Sequence, residues 1–283
     1  MTAVVLAAAI LSALLHASWN LVARQNSTPG DALGGIAIAT ATVCAGVSPV
    51  IGLAPASAWP WIVAASICNV LYLRLLGAAY EHPNFCAVYA VVRTIVPAIL
   101  FASGWLIWNE PIGPGATLGL AVIAISMVLF SLPLKEAGLL DRATLAHSIM
   151  AGGVLALGLL LDIRGIRVSD SGIDGLIRYT VSSSLTTASG VAVLALIRGK
   201  NPVAILLNHG RPCYTGALLL LASYLCGMWA YAKGPIGLVA PVRESSILFG
   251  GLLAVMVLRQ RVSIAQWTAM VLATVGIVLV QAG

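Results

Sequence analysis

Residues 111–134 contain no charged side chain, and neither do residues 1–23. An α-helix needs about 20 mostly apolar residues to cross a bilayer core about 30 Å thick. Runs of this length recur along the chain, with charged residues as punctuation between them. Residues 32–73 are long enough for two spans, and Pro49, Pro55 and Pro60 break that run, so a turn is expected around residues 54–58. Further runs cover residues 84–108, interrupted only by Arg93, then 111–134, 143–161 and 175–197. The last three are residues 212–232, 235–258, which holds Arg243 and Glu244, and 262–283. The expected fold is an all-α integral membrane protein with ten transmembrane helices.

Composition closes the other routes. Of 283 residues, 60% are hydrophobic and 8% are charged, with a mean hydropathy of +1.02. A soluble domain carries roughly 25% charged residues. This chain cannot build a charged surface, which excludes a soluble enzyme and a disordered chain. The net charge of +6 is spread singly along the sequence, so no basic patch marks a nucleic-acid binder. A membrane barrel would alternate with period two, whereas LGLAVIAISMVLF (118–130) is apolar on every helical face. Residues 1–23 have no basic residue ahead of their apolar run and read as a first span rather than a cleaved signal peptide. The five cysteines lie apart in apolar runs and read as small core fillers.

A shift of 150 positions lays residues 87–130 over 237–280, aligning Ala90 with Ala240, Val92 with Val242 and Arg93 with Arg243. Coincidences of Val and Leu mean little in apolar sequence, but arginine is rare inside membranes. Two units of five spans follow, residues 1–134 and 143–283. An odd number of spans inserts the second unit upside down relative to the first. Inverted repeats are a recurring architecture of secondary transporters, with the substrate site near the midplane.

The opening SALLHASWN (12–20), the segment NEPIGPGATLGLAVIAISMVLF (109–130) and its counterpart RQRVSIAQWTAMVLATVGIVLV (259–280) resemble EamA-type proteins of the drug/metabolite transporter superfamily. The resemblance covers essentially the whole chain. It implies ten helices in two inverted five-helix repeats and transport of small metabolites. The second copy has Gln260 where the family often places an acid, and Ile247 where the first copy has Pro97. A narrower likeness, in length and in LLHASWN, is to membrane proteins associated with phosphonate use.

Arg93 lies about ten residues into its span, about 15 Å deep at 1.5 Å per residue, and Arg243 is expected at a similar depth. An arginine at the bilayer centre costs at least about 2.5 kcal/mol. Both need compensation, by Glu244, by an anionic substrate matching the guanidinium fork, or by backbone carbonyls. Glu244 is the one carboxylate placed well inside an expected span. It suits proton coupling, and a permanent ion pair with Arg243 is the structural alternative. His16, Trp19 and Asn20 share a helical face and either line a cavity or bond between helices. Tyr80 and Tyr231 are substrate contacts or interfacial anchors. Arg74 and Glu81, two turns apart, read as a pair near a helix end. Glu110 reads as a turn residue, and Gly119, Gly250, Gly251 and Gly276 as sites of close helix packing.

These readings converge on a secondary transporter of a small polar metabolite, anionic or zwitterionic, working by alternating access in the inner cell membrane. Its partners are the small-molecule substrate and the lipid bilayer, with room for a homodimer. No cofactor or metal is expected, since His16, His82, His147 and His209 are scattered and no GxxxxGK loop is present. An integral membrane enzyme and a non-transporting accessory subunit are the alternatives. Basic residues in connections concentrate opposite the N-terminus, at Arg24, Lys135, Arg142, Arg198 and Lys200 among others, against Arg164, Arg167 and Lys233 on its side. That bias places the termini outside, whereas the family resemblance implies them inside.

Overall fold

A computed structural model describes residues 1–24, 29–79, 85–110, 113–131, 141–169, 172–258 and 264–282. Regular structure among them is entirely helical. The helices are α1 (Ala3–Arg24), α2 (Pro29–Ile51), α3 (Trp59–Ala79), α4 (Phe85–Trp108), α5 (Pro114–Ser131), α6 (Arg142–Val168), α7 (Ile173–Ile197), α8 (Pro202–Lys233), α9 (Ile236–Glu244), α10 (Ser246–Leu258) and α11 (Ile264–Ala282). The expected turn around residues 54–58 is a single 3-10 turn, Ala56–Ala58.

Among the described residues, seven stretches are long and apolar enough to cross a membrane: Ala3–Ala23, Asp31–Ile51, Ala56–Ala79, Arg142–Val168, Ile173–Ile197, Gly210–Lys233 and Ile236–Leu253. Three shorter apolar stretches, Ile95–Trp108, Pro114–Leu129 and Trp267–Val280, accompany them. This is the build of a multi-pass membrane protein. Its radial distribution agrees. Val50, Ile67, Trp105 and Ile107 face outward at 60% exposure or more, while Ser12, Ser126, Ser148 and Ser182 are fully buried. Small and polar residues inside, with large apolar ones outside, is how helices pack when the solvent is lipid.

Helix ends are set locally. Asp141 caps α6, its Oδ1 accepting from Thr144 N at 2.9 Å, and Asn201 caps α8 through Val203 N at 2.9 Å. Gly210, at φ 37°, kinks α8 eight residues after its start at Pro202.

Two expectations need correction. The sixth span does not stop at residue 161, because α6 runs unbroken to Val168 and carries Asp162, Arg164 and Arg167 inside the helix. A charge ends a span only when the fold offers it no partner, and here the fold offers one to each. The ninth span is not one helix: α9 and α10 are separated at Ser245. Arg243 is seven residues into α9, about 10 Å along the helix at 1.5 Å per residue.

The packing has a pattern. α1 lies along α8 as α3 lies along α6, and α4 packs on α6 as α9 and α10 pack on α1. α5 meets α11, α2 meets α7, and α4 meets α9. α5 and α11 cross closely. A Cβ at Gly119 would stand 2.6 Å from Val280 N, and one at Gly276 would stand 2.9 Å from Gly119 O. Glycine is required there, as expected. At Gly250 a Cβ meets nothing within 4 Å, so that glycine is not a packing contact.

Candidate functional site

α1, α2, α3, α6, α7, α8 and α9 surround a cavity of about 160 Å³. Its wall is mostly apolar, with polar groups at a few points. His16 and Trp19 come from α1, Asn69 and Tyr72 from α3, Asp162 from α6, Ser183 from α7, Tyr224 from α8 and Arg243 from α9. A cavity of about 150 Å³ admits a molecule the size of benzene.

The α1 face is preorganised. Trp19 Nε1 donates to His16 Nδ1 at 3.3 Å, and the rings meet edge to face, centroids 5.0 Å apart. The third member of that face, Asn20, turns its amide back to His16 O at 2.8 Å and does not line the cavity.

Arg243 is held from several sides. Its Nη1 donates to Glu244 Oε1 at 3.0 Å, and its Nε donates to Ser12 Oγ at 3.3 Å. Its Cζ lies 6.0 Å from the centre of the Tyr231 ring, a cation–π distance. Tyr231 therefore sits behind the guanidinium, fully buried, rather than on the cavity surface. Gly227 permits this placement, since a Cβ there would come within 2.7 Å of both Arg243 Nε and Ser12 Oγ. Beside it, α1 and α8 are clamped reciprocally: Ser12 Oγ donates to Ser223 O at 2.7 Å and Ser223 Oγ to Ser12 O at 2.8 Å.

Sequence reasoning missed Asp162. It is 1% exposed and accepts from the Tyr179 hydroxyl at 2.9 Å. Glu244 is thus not alone as an intramembrane carboxylate. The available signal was the apolar pattern continuing past it, in Ile163, Ile166 and Val168. Gly165 leaves room for the Tyr179 ring, because a Cβ there would lie 2.5 Å from the ring and its hydroxyl.

A second, wider cavity of about 380 Å³ shares Leu33 and Leu73 with the first. Arg74, His147, Arg198 and Lys200 line it together with Asp31. Lys200 Nζ pairs with Asp31 Oδ1 at 2.6 Å. Glu81, the expected partner of Arg74, lies outside the described residues.

At the opposite helix ends, side chains tie neighbouring helices together. Glu110 accepts from Ile236 N at 2.8 Å and Gly237 N at 2.9 Å, which caps α9. Arg167 donates to Tyr231 O at 3.3 Å and stacks 5.7 Å over Trp108. Arg178 Nε donates to Ile51 O at 3.1 Å, at the end of α2. Of the remaining candidates, Tyr80 lies outside the described residues, as do Gln260 and the side chain of Arg93. Among the described residues no group of three His, Cys, Asp or Glu side chains is placed to hold a metal.

No protein-family profile matches the chain, and no curated protein matches it. A solved structure described as "Crystal structure of protein" is similar, with a TM-score of 0.71 and 14% identity over 98% of this chain and 95% of its own. At that identity the likeness concerns the fold alone.

Proposed function

We propose that this protein is a secondary carrier of a small polar metabolite, anionic or zwitterionic, of the EamA type. α4, α5 and α11 cross the bilayer with the seven longer stretches, one of which is the broken α9–α10 crossing, and this gives ten spans. The exchange pattern in the packing supports two inverted five-helix repeats, residues 1–134 and 143–283. α1 takes the place in one unit that α6 takes in the other.

The observation that carries the reading is the asymmetry of the cavity's surroundings. The central cavity adjoins a wider one lined by Arg74, Arg198 and Lys200 on one side. On the other side, Glu110 and Arg167 tie the helix ends together. We read this asymmetry as a site reached from one face and closed from the other, one of the two states that alternating access requires. A broken helix carrying charge at the cavity is a further transporter feature, and basic groups at the entrance favour anions. The narrower substrate reading, a phosphonate or related organic anion, fits the same guanidinium.

The test is a thermal-shift screen of the purified chain against amino acids, organic acids and phosphonates, followed by flux of any hit into proteoliposomes. A ligand that binds the folded state raises the melting temperature. Arg243→Lys, which keeps the charge and loses the fork, should weaken binding at least about tenfold, equivalent to about 1.4 kcal/mol. No hit across the three classes, or unchanged binding in that variant, counts against the carrier.

A further inference from the structure

Asp162 and Glu244 are both buried carboxylates, at 1% and 0% exposure, yet their surroundings differ. Glu244 has its countercharge 3.0 Å away on Arg243 and does not line the cavity. Asp162 does line it and has no ion pair among the described residues. Its direct hydrogen bond comes from a neutral donor, Tyr179.

The groups around Asp162 are Tyr179 on α7, Tyr224 on α8, Asn69 and Cys68 on α3, and Arg243 on α9. His16 on α1 shares the cavity. α4 meets α6 through Val92 and Ile95 at Gly152. Among these described side chains the fixed charges are one guanidinium and two carboxylates. Glu244 has a countercharge on Arg243 at 3.0 Å, whereas Asp162 has no ion pair among the described residues. An isolated carboxylate in an apolar wall is costly and is neutralised by whatever cation can reach it.

We propose that Asp162, rather than Glu244, is the proton-carrying group of this cavity. A proton from cavity water forms an O–H bond with the carboxylate oxygen not engaged by Tyr179, and leaves to water from the same oxygen. Glu244 serves as the fixed counter-ion of Arg243. A sodium ion is the competing occupant. It needs converging oxygen lone pairs, whereas Tyr179 turns its O–H toward Asp162. As a coupling step this rests on the carrier reading, but the proton exchange itself is measurable without a substrate.

The experiment is infrared difference spectroscopy of the full chain in lipid nanodiscs, with pH stepped in potassium buffer. The wild type should show a pH-dependent carbonyl-stretch component of a protonated carboxyl group that Asp162→Asn lacks. Tyr179→Phe should shift the frequency of that component, because the hydroxyl donating to Asp162 is gone. Asp162→Glu should retain such a component, which separates loss of the carboxyl from loss of the fold. Identical titrating bands in wild type and Asp162→Asn overturn the proposal. So does a component that responds to sodium replacing potassium and not to pH, which assigns sodium instead. A failed ligand screen with this component present counts against the carrier alone, and a bound ligand with no such component counts against the proton site alone.

Discussion

Arg243 and Glu244, neighbours in sequence, form an ion pair at 3.0 Å with side-chain exposures of 7% and 0%. Adjacent residues on a helix point about 100° apart, so this contact relies on the end of α9 at Ser245 and on the support of Ser12 and Tyr231 around the guanidinium. Breaking such a pair leaves a charge buried and uncompensated, whereas replacing both partners with apolar groups often does little harm. Arg243→Gln or Glu244→Gln alone should therefore destabilise the fold by about 3–5 kcal/mol. The double replacement Arg243→Met with Glu244→Leu should recover most of that, read as thermal midpoints in detergent. Equal losses in the single and double variants would show that the pair does not act as a unit.

Glu110 reaches 126 positions along the chain to accept from Ile236 N, and Gly104 leaves space for its carboxylate. Both of its oxygens satisfy amides at the positive end of α9. Glu110→Ala should cost about 1–2 kcal/mol, and Glu110→Gln should cost less because one acceptor remains. Hydrogen exchange at the Ile236 and Gly237 amides should accelerate in the alanine variant. Unchanged protection there would mean that the carboxylate is not the cap.

At Gly119 the neighbours of an added Cβ are backbone atoms of α11, Val280 N at 2.6 Å and Gly276 O at 2.7 Å. They cannot step aside without moving the helix. Gly119→Ala should lower stability by about 1–3 kcal/mol, the usual cost of overpacking. Gly250→Ala, with nothing within 4 Å, should be neutral or gain up to about 1 kcal/mol from helix propensity. The opposite order in thermal melts would contradict this crossing geometry.

The reciprocal bonds between Ser12 and Ser223 invite a double-mutant cycle with alanine. Hydrogen bonds between membrane helices couple by about 0.6 kcal/mol on average and at most about 1.7 kcal/mol. A coupling within that range should appear in unfolding free energies, and zero coupling would mean that the two hydroxyls act independently.

Part of the site was legible in the sequence and part was not. His16 and Trp19 were found because residues three apart on a helix share a face, a local fact. Arg243 was found because a charge in an apolar run stands out. Asp162 was missed because hydropathy reads a charge as a boundary, while Tyr179, 17 positions away, makes it an interior residue. Asn20 shares the face of His16 and Trp19, which leaves cavity lining and bonding between helices equally open, and its amide bonds to its own helix instead. Glu110 reads in sequence as a turn residue, and its partner 126 positions away is as invisible there as Tyr179 is for Asp162.

What the sequence settled alone is the solvent. Runs of about 20 uncharged apolar residues leave lipid as the surrounding medium and helix as the backbone answer, since each helix satisfies its own hydrogen bonds. Tertiary structure decided which buried charge meets which partner. Asp162 with Tyr179, and Glu110 with the start of α9, depend on how separate helices are brought side by side, and the pair of Arg243 with Glu244 depends on Ser12 and Tyr231, which other helices bring around the guanidinium. Apolarity is a property of each residue, whereas neutralising a buried charge requires two groups within about 3 Å, and only the packed bundle sets that distance.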